Sequence, residues 1–413
     1  MSNEINGCRH CGTELEHTLV DLGSSPPCNN LLDADSLAKG EVFYPLHVKV
    51  CGSCFLAQVE EFVAPEEIFA EYCYFSSFST SYVAHAKRFV DESIDRFALT
   101  ANSRVFEVAS NDGYLLQHFL PRDISVLGIE PALNVADAAR AIGVPTISVF
   151  LGESTATDVV NEHGNADLVI ANNVLAHTPH LNDFVRGLAT LVSETGVVSV
   201  EFPHLMRLIE CNQFDTIYHE HFSYFSLFTV ERVFESQGLR VFDVEELAVH
   251  GGSLRVYATP LDSSNYSQSD NVDRVREFER DRKVDELSSY AAFTENVQEV
   301  KRALLQQLIS IRRKGQRVVG YGAPGKGNTL LNYCGIRSDL LDYMVDMNPY
   351  KQGKYTPGTR IPIYHPDKVF ETRPEFVLVM PWNITDEVIE HLADIRQWGG
   401  KFIVAIPELR VLD

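Results

Sequence analysis

Between residues 104 and 202, short apolar runs alternate with stretches of helical periodicity. "RVFEVA", "VLGIE", "ADLVIANN" and "GVVSVEF" read as strands, and segments such as "NVADAARAI" as the helices between them. That alternation admits few folds. Parallel strands need a crossover between them, and the helices that supply it cover a doubly wound sheet. "GLRVFDVEEL" and "GSLRVYAT" follow as two further strands, read as antiparallel at the sheet edge. A second series closes the chain: "QRVVGYG", "LDYMVDMN", "PEFVLVMP" and "KFIVAIPE". Between the two series lie a polar linker at 261–271 and a charged amphipathic helix expected to run to about Lys314. The fold class is α/β.

The first 75 residues break this pattern. They carry prolines, short alternating stretches and two CxxC pairs, Cys8/Cys11 and Cys51/Cys54. Two such turns offer four thiolates in a tetrahedron, which fills the coordination of a structural zinc and leaves no position for chemistry. His10 and Cys28 are spare ligands the pattern does not need. The expected domains are a zinc-binding module at 1–75, an α/β domain at 76–262, and a linker helix with a Rossmann-like α/β domain at 263–413. A length of 413 residues fits that division. The net charge of −22 argues against nucleic acid as a partner. The polar start "MSNEINGCRHCG" has no apolar leader, and no run approaches the roughly 18 apolar residues of a membrane span. Sparse cysteines add to the expectation of a cytoplasmic protein without a membrane partner.

In "RVFEVASNDGYLL" a strand carrying Glu107 runs into a tight loop with Ser110, Asn111 and Gly113, then into an expected helix. The next strand ends in Glu130. This order matches class I S-adenosylmethionine-dependent methyltransferases, in which the backbone of a glycine-rich loop approaches the cofactor and the second acid takes the ribose hydroxyls. Ala109 and Asn111 stand where many such enzymes have glycine. Asn172 and Asn173 end a later strand, on the side where open α/β sheets bind ligands.

"FDTIYHEHFSYFS", residues 214–226, puts Tyr218, His219, Glu220 and His221 in a row among phenylalanines. A zincin needs histidines four apart on one helix face; these are two apart. A histidine there can serve as general base near neutral pH, with a glutamate tuning it and a tyrosine donating to a developing oxyanion.

Taken together, "SNDG", "ANNVLAHTPH", "FDTIYHEHFSYFS", "HGGSLRVY", "VVGYGAPGKGNTLLNYCGI", "TPGTRIPIYHP" and the paired CxxC turns give the chain a resemblance over nearly its whole length. It resembles the nucleotide-sugar C-methyltransferases of deoxysugar pathways, of which the dTDP-sugar 3-C-methyltransferases, such as that of tetronitrose biosynthesis, are the structural type. The resemblance implies methylation beside a 4-keto group, at carbon 3 in preference to carbon 5, with a dTDP-linked sugar as partner. It implies that His221 removes the proton alpha to the ketone, that Glu220 supports it, and that Tyr218 bonds the substrate or enolate oxygen. Tyr72 would reach the site from the zinc module, with Tyr74 close enough to be confused with it. His177 would line the pocket.

Two stretches stay open. Gly320, Gly322 and Gly325 follow a strand and precede a helix, and Asp346 ends the next strand, as in a dinucleotide fingerprint. Taken alone this favours an NAD-dependent oxidoreductase acting on a nucleotide sugar. The resemblance implies instead a Rossmann-like domain without dinucleotide. Its glycine turn, read as phosphate-friendly, would let Lys326 face the substrate's diphosphate; a purely structural domain is the equal alternative. The glycines of "HGGSLR" allow a close backbone approach, and place His250 as a candidate at the sugar. Other readings are O-methylation of the same sugars and a zinc-scaffolded binding protein.

Overall fold

The computed structural model describes residues 7–68 and 75–413. A seven-stranded sheet forms its middle, in the order Leu239–Leu247, Ser253–Pro260, Val192–Pro203, Ala166–Asn172, Arg104–Val108, Ser125–Ile129, Thr146–Ile147. The last five run parallel, and Ser253–Pro260 runs against both its neighbours. Leu168, Val169, Ile170 and Ala171 are all fully buried. Such unbroken apolar runs suit strands covered on both faces. Arg104–Val108 lies between Ser125–Ile129 and Ala166–Asn172, so the strand order reverses there, and a crevice opens at the carboxyl ends.

A second sheet, Ile363–Tyr364, Met344–Val345, Val318–Tyr321, Phe376–Val379, Lys401–Val404 and Arg410–Leu412, carries the C-terminal domain. The third belongs to the cysteine module: His17–Ser25, Tyr44–Val50 and Ala57–Val59, antiparallel throughout. Its fourth strand, Ser223–Tyr224, comes from the far end of "YHEHFSY". Among the described residues, no helix is long and apolar enough to cross a membrane.

Two helices depart from expectation. After Gly113 the chain forms short 3-10 turns, Leu116–His118 and Leu120–Arg122, in place of an α-helix. Pro121 opposes a continuing helix, because it lacks an N–H and its ring clashes with the preceding turn. The long helix after the linker is two helices, Asp270–Asp281 and Ala291–Arg313. The first buries Val272 and Val275 in the central core, while the second packs Phe293, Val297, Leu304 and Leu308 with the cysteine module and the C-terminal domain. Two cores pull one amphipathic stretch in two directions, and it breaks between them.

Candidate active site

The carboxyl ends of the parallel strands open into a cavity of about 660 Å³ to which all three units contribute: Asn29 and Glu61, then the central domain, then Gly325, Lys326 and Lys351. The loop after Val108 forms one wall. Ala109 (φ 55°), Asn111 (φ 49°) and Gly113 (φ 77°) all take left-handed backbone there. Glycine adopts that conformation at least cost, which accounts for the glycines common at these positions; alanine and asparagine bear the strain here. Side-chain bonds hold the loop. Asn111 Oδ1 accepts from the Ser76 N–H at 2.9 Å and Asp112 Oδ2 from the Ser77 N–H at 3.1 Å. Glu130 accepts the N–H groups of Asn111 and Ala132, each at 2.9 Å.

Burial raises the Glu130 pKa and these two amides oppose the rise. Each carboxylate oxygen keeps a lone pair, so Glu130 can still accept two ribose hydroxyls. Asn111, Glu130, Asn172 and Asn173 line the cavity. Asn172 Oδ1 is buried without a hydrogen-bond partner, an acceptor suited to a ligand's donor. Asn173 Nδ2 donates to Tyr82 OH at 3.0 Å and Glu201 Oε1 at 3.3 Å. These residues fit S-adenosylmethionine. Glu107, Ser110 and Gly113, expected at the cofactor, are instead buried behind the wall. Burial and the nearby Glu130 and Asp112 push the Glu107 pKa far up. A Cβ at Gly113 would meet Val144, Ala139 and Ile142, so this glycine serves the packing of the loop.

The opposite wall is the histidine segment. Thr216 O lies 3.0 Å from His221 Nδ1 and Tyr218 OH lies 2.9 Å from Nε2. A carbonyl only accepts, so Nδ1 carries the hydrogen and Nε2 presents its lone pair to the tyrosine hydroxyl. Burial, with His177 beside it, drives the His221 pKa well below the ordinary imidazole range. His177 meets that ring edge-on at 4.7 Å, and burial lowers its own pKa to about 4. His250 meets the Tyr82 ring edge-on at 5.9 Å and is lowered to about 4 by burial and then by Lys326. His177, Tyr218, Glu220, His221, His250 and Lys326 all line the cavity.

Glu220 does not orient His221, contrary to expectation. Its carboxylate accepts from Asn29 Nδ2 at 2.7 Å and from the Cys28 thiol, both in the cysteine module. His219 is buried and donates to the Tyr44 and Pro45 carbonyls. Tyr72 and Tyr74 fall outside the described residues. Asn29, Tyr82 and Trp382 carry no local signal, since their partners here lie far away in the chain. Trp382 Nε1 donates to buried Asp215 at 2.7 Å, and Lys326 Nζ stands 4.6 Å over the Trp382 ring.

The dinucleotide reading finds no support in the C-terminal domain. Asp346 Oδ2 accepts from the Ala323 N–H at 2.7 Å and from Lys351 at 3.3 Å, while Oδ1 accepts from the Asn348 N–H at 2.8 Å. The acid that would take a ribose instead braces its own glycine loop. Gly325 opens the helix Gly325–Cys334, but Cys28 Sγ would lie 2.8 Å from a Cβ there. The cysteine module occupies the approach.

Cys8, Cys11, Cys51 and Cys54 place all four Sγ atoms within 4.8 Å of one another. Cys8–Cys54 and Cys11–Cys51 stand 3.5 Å apart, near the roughly 3.8 Å of thiolates around tetrahedral zinc. Zinc fits, as a structural ion. His10 bonds instead to Asn182, and Cys28 lies against Glu220.

Comparison with known proteins agrees with this layout. Residues 8–69 match a zinc binding domain, 82–244 a methyltransferase domain, and 248–407 a C-methyltransferase C-terminal domain. C-methyltransferase NovU of Streptomyces niveus is 36% identical over 408 residues, 99% of this chain and 97% of that protein. Among solved structures, the magnesium protoporphyrin IX methyltransferase of Synechocystis, with bound S-adenosylmethionine, is 12% identical with a TM-score of 0.36, covering 49% of this chain and all of that one. The PH0226 protein of Pyrococcus horikoshii is 14% identical with a TM-score of 0.38, covering 47% of this chain and 98% of that one.

Proposed function

The chain belongs to the S-adenosylmethionine-dependent C-methyltransferases, and on that premise we propose that it methylates a nucleotide-activated 4-keto-6-deoxy sugar at the carbon beside the ketone, carbon 3 in preference to carbon 5. One observation carries this reading: the His221 imidazole and the Tyr218 hydroxyl, 2.9 Å apart, face the same cavity as the cofactor loop. A carbon gains a methyl only after it gains carbanion character, and the proton alpha to a ketone is the accessible one. That calls for a base at the proton and a donor where enolate charge develops.

S-adenosylmethionine, when bound, supplies an electrophilic methyl on its sulfonium. His221 Nε2 takes the alpha proton and the carbonyl oxygen gains the charge. Tyr218 turns its hydroxyl hydrogen from Nε2 to that oxygen, which frees the histidine lone pair as the substrate enters. His177, beside the His221 ring, disfavours a second charge there and so helps to keep His221 neutral. Lys326, at the start of Gly325–Cys334, would meet the substrate's diphosphate; Lys326 and Lys351 both line the cavity. His250, which lines the same cavity, would meet the sugar.

Proton NMR in deuterium oxide tests this with dTDP-4-keto-6-deoxyglucose, with and without S-adenosylmethionine. The expected result is enzyme-dependent exchange at carbon 3 or 5, then methyl gain at the same carbon, both lost in His221→Asn. Methyl gain on oxygen without exchange would replace this reading with O-methylation.

A further inference from the structure

The stretch 217–224 is tied down almost residue by residue, mostly from outside the central domain. Ile217 O accepts from Thr329 Oγ1 at 3.0 Å, and the Phe222 N–H donates to Ala176 O at 2.7 Å. Just past His221 the chain leaves the cavity as Ser223–Tyr224 and completes the sheet of the cysteine module. Arg9 stands at that junction. It sits between Cys8 and Cys11, and its guanidinium donates to Phe222 O, to Ser223 Oγ at 3.2 Å and to Val59 O at 2.8 Å. The Phe222 ring lies 5.7 Å from it. The Arg9 N–H donates to Gln58 Oε1 at 3.0 Å, and Gln58 Nε2 donates to Cys8 Sγ at 3.2 Å. One side chain therefore joins a cysteine turn, a sheet strand and the backbone next to the candidate base.

We propose that Arg9 is a positioning residue for methyl transfer: carried on the metal-binding turn, it fixes the backbone just after His221 and so passes the rigidity of the cysteine cluster to the base. Zinc holds its thiolates in a set tetrahedron, and every later link is a side chain of this protein. Arginine suits the task because a planar fork reaches several acceptors at once, whereas an ammonium is a single point. The proposal rests on His221 being the base. A base misplaced by about 1 Å loses rate by about 100-fold, so such bracing has a kinetic consequence.

Arg9→Met and Arg9→Lys, prepared with zinc, are compared with the wild type. Both are expected to retain full zinc content and wild-type affinity for S-adenosylhomocysteine. The methionine variant should lose about 10- to 100-fold in kcat with little change in KM, and lysine should restore part of it. A second readout needs no substrate. Long-range proton–nitrogen spectra of the His221 imidazole should show a single tautomer, hydrogen on Nδ1, in the wild type and a mixture in Arg9→Met. Wild-type kcat or a single tautomer in that variant overturns the proposal. So does loss of zinc or of S-adenosylhomocysteine binding, which would make Arg9 a folding residue of its module. If the wild type fails to turn over the keto sugar, the proposed function falls, while the tautomer comparison still decides Arg9.

Discussion

At the scale of single residues, His221 shows how burial changes what an imidazole does. An exposed histidine near neutral pH divides its time between base and acid; this one stays neutral, because burial removes the water that would stabilise its charge. The acid limb of kcat/KM should therefore fall below pH 6.5, and a limb at or above 6.5 in a full pH–rate profile would contradict that. Tyr218→Phe removes the hydroxyl bonded to Nε2. Loss of an oxyanion donor costs about 100-fold in kcat, and steady-state kinetics on the keto sugar will show whether Tyr218 is that donor. The tyrosine, glutamate and histidine were legible as a group because they fall within four successive residues. Their partnerships were not. Glu220 pairs with Asn29, 191 residues away, and no local pattern announces such a contact.

At the scale of elements, the cofactor loop was read from an imperfect pattern, and its backbone explains the imperfection. Ala109 holds a conformation that costs an L-residue roughly 1–2 kcal/mol, partly offset by the extra chain entropy a glycine would lose. Ala109→Gly should thus gain roughly 0.5 kcal/mol in urea unfolding and leave S-adenosylhomocysteine binding intact. The glycine fingerprint of the C-terminal domain taught the opposite lesson. Its sequence context was right, yet Asp346 is spent on Ala323, Asn348 and Lys351. Asp346→Ala should destabilise the chain by roughly 2 kcal/mol, since it strands buried donors. Added NADH should quench no protein fluorescence before or after that change. Periodicity placed a helical stretch after the linker, to about Lys314, but not its break, which depends on which core each half meets.

At the scale of the molecule, three units close one cavity, and its half-buried histidines tie stability to pH. His177 has a folded pKa of about 4 against about 6.5 unfolded. Between those values the unfolded chain binds the extra proton, so stability falls as pH drops from about 6.5 to about 4, by about 3 kcal/mol for this group. Denaturant unfolding of His177→Gln should lack that part of the wild-type decline. Much of this architecture was written in the sequence alone: strand and helix alternation dictates a doubly wound sheet, paired CxxC turns dictate a metal-held module, and both are local regularities that backbone geometry and coordination number enforce. What only the tertiary structure decided was who meets whom. The strand after His221 completes the cysteine module's sheet, Cys28 covers the helix where a dinucleotide's phosphates would lie, and Glu107 sits behind the wall it was expected to form. Each of these turns on packing between segments far apart in the chain, where a contact forms because two cores must close on the same surface.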